Sequence, residues 1–384
     1  MDFELSEEQR LLKQTCERYF ADHYQFESRK RYAHEPRGWS LIAWKQYADL
    51  GLLGVPFAEE HGGTGGGPVE TMIIMEQIGR VLLLEPYLAT VVLGGGFVAR
   101  GGSDAQRADL LPKIAAGERS LAFAHAERQA RYDLADVATS ARRDGSGYVL
   151  DGAKTLVAHG GGADRLIIPA RVGGERTDTD GIALFLLDAQ APGLSRHDYA
   201  TQDGLRAADL VLNGVRADDA DVLGPAGAGG AALARVIDEG IAALCAEAVG
   251  AMSALQEMTL EYLKTRQQFG VAIGQFQALQ HRAVEMFVVL EQARSMALYA
   301  ALSVSDDRPA ERRRALCAAK AHIGRAARHI GQEAIQLHGG LGMTLDYAAG
   351  RYFRRLTMID LTFGSQHDHI SELAKSGGLE QGSV

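Results

Sequence analysis

Cysteine is scarce in this sequence, long apolar runs are missing, and basic residues never form a block. Its three cysteines, Cys16, Cys245 and Cys317, are scattered, with no CxxC pair and no histidine at ligand spacing. We therefore expect small buried thiols, and neither a disulfide framework nor a metal site. No stretch is apolar over a length sufficient to cross a bilayer. The net charge of −9, without basic clusters, argues against nucleic-acid binding.

The chain is instead rich in hydrophobic residues, which make up 46% of its 384 positions. A chain of this length and composition can bury a large core and is expected to form two or three domains. Residues 1–14 are acidic and polar, unlike a signal or transit peptide, so the expected location is the cytoplasm. The sequence has no HExxH and no Walker motif, and so gives no support to zinc-dependent or P-loop hydrolysis.

The chain divides into three segments with different patterns of apolar and turn residues. Residues 1–117 are predicted to form an N-terminal α-helical domain, because Ser6 begins a capping box and apolar residues follow it at helical spacing. Residues 118–223 contain short apolar runs separated by Gly, Asp and Asn, which predicts an antiparallel β domain. Residues 224–384 are predicted to form a C-terminal helical bundle. Its long helices are expected at residues 231–268, 276–302 and 309–337.

Two motifs near the end of the chain carry groups suited to a nucleotide. The first is Arg266-Gln267-Gln268-Phe269-Gly270, followed by Gln277, and the second runs from Gln336 to Gly342. The guanidinium of Arg266 can fork onto a pyrophosphate, and Phe269 offers an apolar face to an adenine. The glutamines offer amides, and the Gly339-Gly340 pair allows backbone to approach a ligand closely. Taken singly, each feature has a simpler explanation. An arginine is usually at the surface, a phenylalanine in the core and a glycine pair at the end of a helix.

In combined order and spacing, these motifs resemble the acyl-CoA dehydrogenase family, over nearly the whole chain. Within that family the sequence is most similar to the small subunit of a pimeloyl-CoA-type dehydrogenase. The resemblance implies an α+β fold with an N-terminal α-helical domain, a middle antiparallel β-barrel domain and a C-terminal four-helix bundle. It also implies FAD, contacted by Arg266, Gln268, Phe269, Gln277, Gln336, His338, Gly339, Gly340, Gly364, Ser365 and Gln366.

The reaction implied by the family is oxidation of an acyl-CoA, here of medium chain length or dicarboxylic, to the 2-enoyl-CoA. Electron-transfer flavoprotein is the implied electron acceptor. A carboxylate removes the proton next to the carbonyl while hydride leaves the neighbouring carbon for the flavin. That base must lie in an apolar pocket, because desolvation raises the pKa of a carboxylate toward the working pH.

Both positions at which family members carry this base hold residues without a carboxylate. Thr362 occupies the first, and Gly240, on the first long helix of the C-terminal bundle, occupies the second. A slip of one residue would bring Glu239 to the second position, although one residue rotates a helical side chain by about 100°. Glu247 lies two turns beyond Gly240, within about 20° of the same face. It is the only charge in a small, apolar run, so Glu247 is the first candidate base and Glu239 the second.

Each candidate base also has a structural explanation. Most buried acids are paired with Arg or Lys, and Glu247 fits such a pair as well as it fits a base. Glu239 lies beside Asp238, and this acidic pair fits solvated surface.

The middle domain departs from the family as well. Relatives have a Thr-Glu-Pro-Gly-Ala-Gly-Ser-Asp stretch that contacts flavin and CoA, and residues 126–133 here lack its Thr and its tight glycine turn. A second family Thr, which supports the flavin ring, aligns with Ala158. Arg128 and Arg131 are candidate substrate-binding residues for CoA phosphates or for a carboxylate at the far end of the acyl chain. The alternative for both is a solvated arginine.

A site divided between subunits reconciles these observations. In the family, the Arg-x-x-Phe and Gln-x-x-Gly-Gly elements reach the nucleotide half of a neighbour's flavin, while the middle domain holds the ring of its own flavin. This sequence keeps the first set and lacks much of the second. The implied partner is a larger homologous subunit in a heterotetramer, with a homotetramer as the alternative. The chain is then either a dehydrogenase subunit with its own base or a non-catalytic subunit that completes its partner's flavin site; a flavin oxidase or monooxygenase is a third interpretation.

Overall fold

The computed structural model describes residues 5–344 and 347–377. Contacts divide the chain into two units, and both combine segments that are distant in sequence. The first unit contains Met1–Lys30, Pro68–Leu83 and Ile241–Val384, and the second contains Arg31–Gly67 and Leu84–Gly240. Residues 1–4 and 378–384, at the ends of the first and last predicted domains, lie outside the described residues. The two boundaries between the predicted domains, after residues 117 and 223, stay a prediction.

The N-terminal part of the chain is helical, as the sequence predicts. The capping box is confirmed: the Ser6 hydroxyl accepts from the Gln9 amide N–H at 3.2 Å, and the Gln9 side chain accepts from the Ser6 N–H at 2.9 Å. These bonds satisfy two of the donors that a helix start leaves open. The helices are α1 Glu7–His23, α2 Phe26–Tyr32, α3 Leu41–Asp49, α4 Pro68–Val81, α5 Gly96–Gly101 and α6 Asp104–Ala115, with a π-helical segment at Tyr87–Gly95.

The middle of the chain forms one mixed sheet. Its strands are β1 Leu121–Phe123, β2 Ser140–Asp144, β3 Gly147–Ala158, β4 Arg165–Arg171, β5 Ile182–Asp188, β6 Leu194–Ala200, β7 Arg206–Asp218 and β8 Val222–Leu223. The order is β6-β7-β3-β2-β4-β5-β8, with β1 beside β4. Most neighbours are antiparallel as expected, but β4 pairs in parallel with β1 and, at one position, with β2. The described pairings leave the two ends of this order unjoined, so the predicted barrel is not confirmed.

The C-terminal part contains the three predicted long helices, and each is confirmed to within a few residues. Five helices lie in residues 229–344 and 347–377, one more than the predicted four-helix bundle. They are α7 Gly229–Thr265, α8 Gln277–Ser303, α9 Pro309–His338, α10 Ala349–Leu361 and α11 Gln366–Lys375, with a hairpin of β9 Gln267–Gln268 and β10 Val271–Ala272 after α7. Helix α9 is central, because α8, α10 and α11 all pack on it. Within the described ranges, no helix combines the length and apolarity of a membrane span.

Two glycines let α4 and α7 cross with their backbones in contact. A Cβ at Gly79 would lie 1.9 Å from the carbonyl oxygen of Glu247, and one at Gly250 would lie 1.8 Å from that of Glu76. Neither distance is compatible with a side chain, because backbone cannot move aside as a flexible side chain can. The crossing therefore places α7, and with it Glu247, against α4.

Gly250→Ala tests this crossing. Helix propensity alone would make the substitution stabilising by about 1 kcal/mol, since Ala is the better helix former. We expect instead a loss of about 1–3 kcal/mol in the free energy of unfolding, because the methyl group must push the two helices apart. Urea unfolding measures the difference, with Gly173→Ala as the control, since a Cβ at Gly173 meets nothing within 4 Å. A Gly250→Ala protein as stable as the wild type would contradict the crossing.

Candidate functional site

The first nucleotide motif forms an exposed hairpin that presents an aromatic ring. Phe269 and Gly270 are its two turn residues, and both have left-handed backbone, with φ of 56° and 82°. Positive φ at both central residues is typical of the tight hairpin turn whose twist matches the strands. For Phe this conformation costs about 1–2 kcal/mol. Phe269 is nevertheless 91% exposed, and its ring lies in a T-shaped arrangement with that of Phe276, at 6.1 Å between centroids.

Arg266 stands at the base of this hairpin with its backbone fixed and its side chain exposed. Its N–H donates to the Tyr262 carbonyl at 2.8 Å, and its carbonyl accepts from the Ile273 N–H at 2.9 Å. Gln268 and Gln277 are exposed on the hairpin and at the start of α8. The structure therefore brings the guanidinium, the aromatic ring and the two amides of this motif together on one exposed segment.

The second motif ends α9 beside the first. Gly339 has φ of 58°, a region that favours glycine, and Gln336, Gly339 and Gly340 are exposed. His338 differs, because its ring is buried against Tyr262, with 4.7 Å between centroids, and its Nδ1 lies 2.8 Å from the Ala334 carbonyl oxygen. Burial lowers the pKa of His338. His338 thus joins the end of α9 to the last turn of α7, where Arg266 begins the hairpin; its direct contact with a cofactor stays a prediction.

The predicted contacts at Gly364, Ser365 and Gln366 lie between α10 and α11. Gly364 has φ of 107°, and a Cβ there would lie 2.9 Å from His369 Nε2. Ser365 is the N-cap of α11, and its N–H donates to the carboxylate of Asp368 at 2.9 Å. Gln366 is buried. The side chains of Ser365 and Gln366 thus serve the internal structure of this connection, and their contact with a cofactor also stays a prediction.

The first candidate base, Glu247, is held in a buried ion pair. The run around it is buried, as its composition predicts, and only 2% of Glu247 is exposed. Arg355 of α10 forks onto it, with Nε donating to Oε1 at 2.6 Å and Nη2 donating to Oε2 at 2.8 Å. Both carboxylate oxygens therefore bind one guanidinium. This is the geometry of a structural ion pair, the alternative to a catalytic base.

The second candidate, Glu239, is paired as well. Its carboxylate accepts from Arg100 and, at 3.3 Å, from Arg235 one turn earlier on α7. Only 17% of its side chain is exposed, and Asp238 beside it is buried. The expectation that this acidic pair forms solvated surface is wrong, because α7 faces other elements of the second unit here.

The two family base positions have no carboxylate to offer. The Thr362 hydroxyl donates to the Met358 carbonyl at 2.8 Å within the last turn of α10. Gly240 is buried and has no side chain. Of the four positions considered from sequence, all of them within the described ranges, none presents a carboxylate free of a guanidinium.

A buried ion pair that the sequence did not predict organises the loop of residues 126–139. Lys154 of β3 is completely buried and donates to Glu127 at 2.6 Å. Glu127 also accepts from the backbone N–H groups of Ala138 and Thr139, at 2.9 and 3.1 Å. Burial opposes ionisation of Glu127, but the charge of the Lys154 ammonium and hydrogen bonds with Lys154, Gln129 and Thr139 lower its pKa to about 2. Lys154 is the only charge that points into this strand's buried face, which is the signal that identifies it.

This loop contains a left-handed turn at Arg131, a position at which relatives have glycine. Arg131 has φ of 49°, in the left-handed region, and Arg128 and Arg131 are both exposed. Arg131 and Tyr132 line a pocket with His125, whose pKa is lowered by burial to about 4. The loop therefore has a left-handed turn at Arg131, and arginine side chains project from it.

The segment aligned with the flavin-ring support is exposed and carries no hydroxyl. Ala158 ends β3 with its side chain exposed, opposite Ala207 of β7. Leu156, two residues earlier, lies in an irregularity of the β3–β7 register with φ of 51°. Its N–H donates to Asp209 at 3.0 Å, and 53% of the residue is exposed. At the aligned position the chain thus presents the methyl group of Ala158, where relatives have a hydroxyl.

Cys317 and His369 meet, although their sequence spacing gave no sign of it. His369 Nδ1 lies 3.3 Å from Cys317 Sγ, and with Glu372 they form a group whose potential ligand atoms lie within 4.8 Å of one another. Arg313 already forks onto Glu372, at 2.6 and 2.7 Å. Burial and the nearby charges of Lys320 and Arg313 lower the pKa of His369 to about 4. The two cations disfavour a metal ion here, so the cluster is best described as packing between α9 and α11.

Comparison with known proteins agrees with the arrangement of the chain. Family models of the acyl-CoA dehydrogenase N-terminal, middle and C-terminal domains match residues 6–118, 122–219 and 227–377. Probable acyl-CoA dehydrogenase YngJ of Bacillus subtilis is 28% identical over 370 residues, covering 95% of this chain and 96% of that protein.

Solved structures are similar over the same length. A variant of the Tcur3481-Tcur3483 steroid ACAD is 31% identical, with a TM-score of 0.88, over 98% of this chain and 99% of its own. The ChsE4-ChsE5 complex from Mycobacterium tuberculosis is 25% identical, with a TM-score of 0.89, over 100% of both chains. Since the three family models together span most of the sequence and these similarities run over nearly its full length, the chain belongs to the acyl-CoA dehydrogenase family of flavin-dependent oxidoreductases.

Proposed function

We propose that this chain is one subunit of a two-component, FAD-dependent acyl-CoA dehydrogenase, and that it completes the flavin site of a larger homologous partner that supplies the catalytic base. The observation that carries the proposal is that none of the candidate base positions in this chain presents an unpaired carboxylate. Guanidinium groups bind the carboxylates of both Glu247 and Glu239, and neither Thr362 nor Gly240 has a carboxylate. A catalytic base needs an oxygen lone pair that can approach the proton on the substrate carbon.

The nucleotide half of the flavin fits the residues that this chain exposes. A guanidinium at Arg266 suits a pyrophosphate, because its donors are planar and paired. Phe269 is held in an unfavourable backbone conformation with its ring in solvent, and an adenine that stacks on the ring would bury that apolar surface. Such strain is maintained where the presented side chain has a use.

The ring half of the flavin fits poorly. The middle-domain positions at which relatives carry hydroxyl donors hold Ala126 and Ala158, and the neighbouring exposed residue is Leu156. Without such donors, the isoalloxazine edge would lose hydrogen bonds that it makes in water. FAD, when bound in the complex, accepts the hydride; this chain's contribution is to bind and orient its nucleotide half.

The assembly we propose is a heterotetramer with a larger homologue, with a homotetramer as the alternative. Two of the similar structures carry the names of two components, Tcur3481-Tcur3483 and ChsE4-ChsE5. Exposed apolar side chains on α8, Val284, Phe287 and Val288, provide surface for subunit contacts. We further propose that the complex transfers its electrons to electron-transfer flavoprotein and that it lies in the cytoplasm.

The substrate we propose is the CoA thioester of a medium-chain or dicarboxylic, pimeloyl-like acid, oxidised to the 2-enoyl-CoA. Arg128 and Arg131 are exposed on the loop beside the pocket and are suited to CoA phosphates or to a terminal carboxylate. A steroid acyl group is the second candidate, because one similar structure is that of a steroid ACAD variant.

Purification of this chain with a tag from its source cells tests the proposal. We expect a larger acyl-CoA dehydrogenase homologue to copurify, and the chain expressed alone to have little flavin and little turnover, because the ring site and base belong to the partner. Flavin absorbance per chain and enoyl-CoA formation from pimeloyl-, octanoyl- and steroid-type CoA thioesters are measured on both preparations. Full activity of the chain alone, with one flavin per chain, would rule the proposal out.

Arg266→Ala tests the nucleotide contact. Loss of a charge-assisted, bidentate contact costs about 1.5–3 kcal/mol, so FAD affinity of the complex should fall by about tenfold to a hundredfold. Fluorescence of released flavin measures the dissociation constant. Arg18→Ala is the matched control, because Arg18 is an exposed arginine on α1, outside both motifs. Equal flavin affinity in the two variants would remove Arg266 from the site.

Glu247→Gln separates the proposal from its alternative, in which Glu247 is the base of this subunit. The amide keeps the shape of the carboxylate and removes its charge. If the partner supplies the base, turnover of the complex should stay within about threefold of the wild type, whereas loss of a general base costs about a hundredfold or more. A thermal unfolding curve for each preparation distinguishes lost chemistry from lost folding, since Arg355 loses the carboxylate onto which it forks. Turnover reduced a hundredfold in a folded complex would establish Glu247 as the base.

A further inference from the structure

Lys320, in the middle of α9, is a buried cation whose hydrogen bonds all go to backbone carbonyl groups. None of the residue is exposed. Its Nζ donates to the carbonyl oxygens of Ile359, Asp360 and Gly364 at 2.8, 2.9 and 3.0 Å. An ammonium has three N–H donors, so each is matched by one acceptor.

These acceptors belong to the end of α10 and to the connection that follows it. The last carbonyl groups of a helix have no partner within the helix, and the helix dipole places negative potential there. An ammonium is suited to that position on both grounds. Ile359 and Asp360 supply two such carbonyl groups, while Gly364 lies beyond the helix, so Lys320 bridges α10 to the start of α11.

The bridged connection has unfavourable backbone that needs an external restraint. Phe363 and Gly364 are consecutive residues with positive φ, 59° and 107°. A left-handed non-glycine residue such as Phe363 costs about 1–2 kcal/mol. The Gly364 carbonyl is turned toward Lys320 by this geometry.

Helix α9 adds a second contact one turn beyond Lys320. A Cβ at Gly324 would lie 2.2 Å from Oδ1 of Asp360, so the absence of a side chain lets the Asp360 carboxylate approach α9. The same Oδ1 accepts from the Gln366 N–H at 3.1 Å. Lys320 and Gly324 lie on one face of α9, four residues apart, and together they fix both ends of the connection.

Packing alone does not explain a lysine here. Burial of the ammonium is unfavourable and lowers the pKa of Lys320 to about 8. A methionine of similar length would fill the same space without that cost. The charge is therefore retained for its three hydrogen bonds.

We propose that Lys320 is a positioning residue: its ammonium fixes the backbone of residues 361–366 and so sets where Gly364, Ser365 and Gln366 meet the flavin nucleotide. The restraint of this backbone follows from the hydrogen bonds of this chain, whereas its contact with flavin rests on the proposed function. One arm of the experiment tests the restraint, and the other tests the flavin contact.

Amide hydrogen exchange of Lys320→Met is the first arm. Lys154→Met is the matched control, because it makes the same substitution at an equally buried lysine that contacts Glu127 instead. We expect both variants to lose global stability, but protection of the peptide covering residues 361–366 to fall by about tenfold or more only in Lys320→Met. Lys320→Gln, which keeps two donors, should give an intermediate loss and provides a second variant if Lys320→Met does not fold. Equal protection of this peptide in Lys320→Met, Lys320→Gln and Lys154→Met would overturn the inference.

Flavin release is the second arm, measured by fluorescence on the complex that copurifies with the tagged chain. Release that is about tenfold faster in Lys320→Met than in Lys154→Met, at equal thermal stability, supports the flavin contact, since a general loss of stability would affect both variants alike. Lost protection with unchanged release would keep the positioning and count against the proposed flavin contact. The two results therefore separate failure of the inference from failure of the proposed function.

Discussion

A buried charge must be matched by hydrogen bonds or an opposite charge, and this constraint organises both units of the protein. Glu247 is tolerated among small apolar residues of α7 because Arg355 forks onto it. Glu127 and Lys154 satisfy the same requirement in the β-sheet unit, and Lys320 meets it with three carbonyl groups of the α10–α11 connection. Since an uncompensated buried ion costs several kcal/mol, each of these pairings restrains the backbone to which its partners belong.

The same constraint bears on catalysis. A carboxylate can act as a base only if it is desolvated without being neutralised by a permanent partner. In this chain the two candidate carboxylates, Glu247 and Glu239, already have guanidinium partners, and the positions at which the family carries a base have no carboxylate. The residues presented to solvent are instead those suited to a nucleotide: Arg266, Phe269, Gln277 and Gln336. This contrast is the physical basis for the proposal that a partner supplies the base and that this chain supplies the nucleotide contact.

Departures from the family are also informative about how the fold tolerates change. Arg131 occupies a left-handed turn where relatives have glycine, so the loop conformation is set by its surroundings, including the Glu127–Lys154 pair, and not by the residue at the turn. The neighbouring middle-domain segment likewise keeps an irregular, left-handed Leu156 beside Ala158. Both positions therefore have left-handed backbone in this chain while the polar groups that relatives use there are absent.

Local pattern was sufficient for much of the fold. Apolar periodicity and capping residues predicted the N-terminal helices, the three long C-terminal helices and the strands between them, because these depend on residues three or four apart, or on alternate residues. Motif spacing identified the family and the nucleotide motifs. A lone charge in an apolar run also marks Glu247 as buried, and Lys320, between Ala319 and Ala321, carries the same signal.

Only the tertiary structure decided what those charges do. The partners of Glu247, Glu127 and Lys320 are 108, 27 and 39 or more residues away along the chain. Sequence spacing contains no information about such contacts, because they depend on which helix faces pack together. The burial of His338, the meeting of Cys317 with His369 and the pairing of Glu239 with Arg100 were hidden for the same reason. The sequence by itself thus determined the helices, strands and family of this protein, whereas the packing of distant helices decided that its candidate bases are ion-paired.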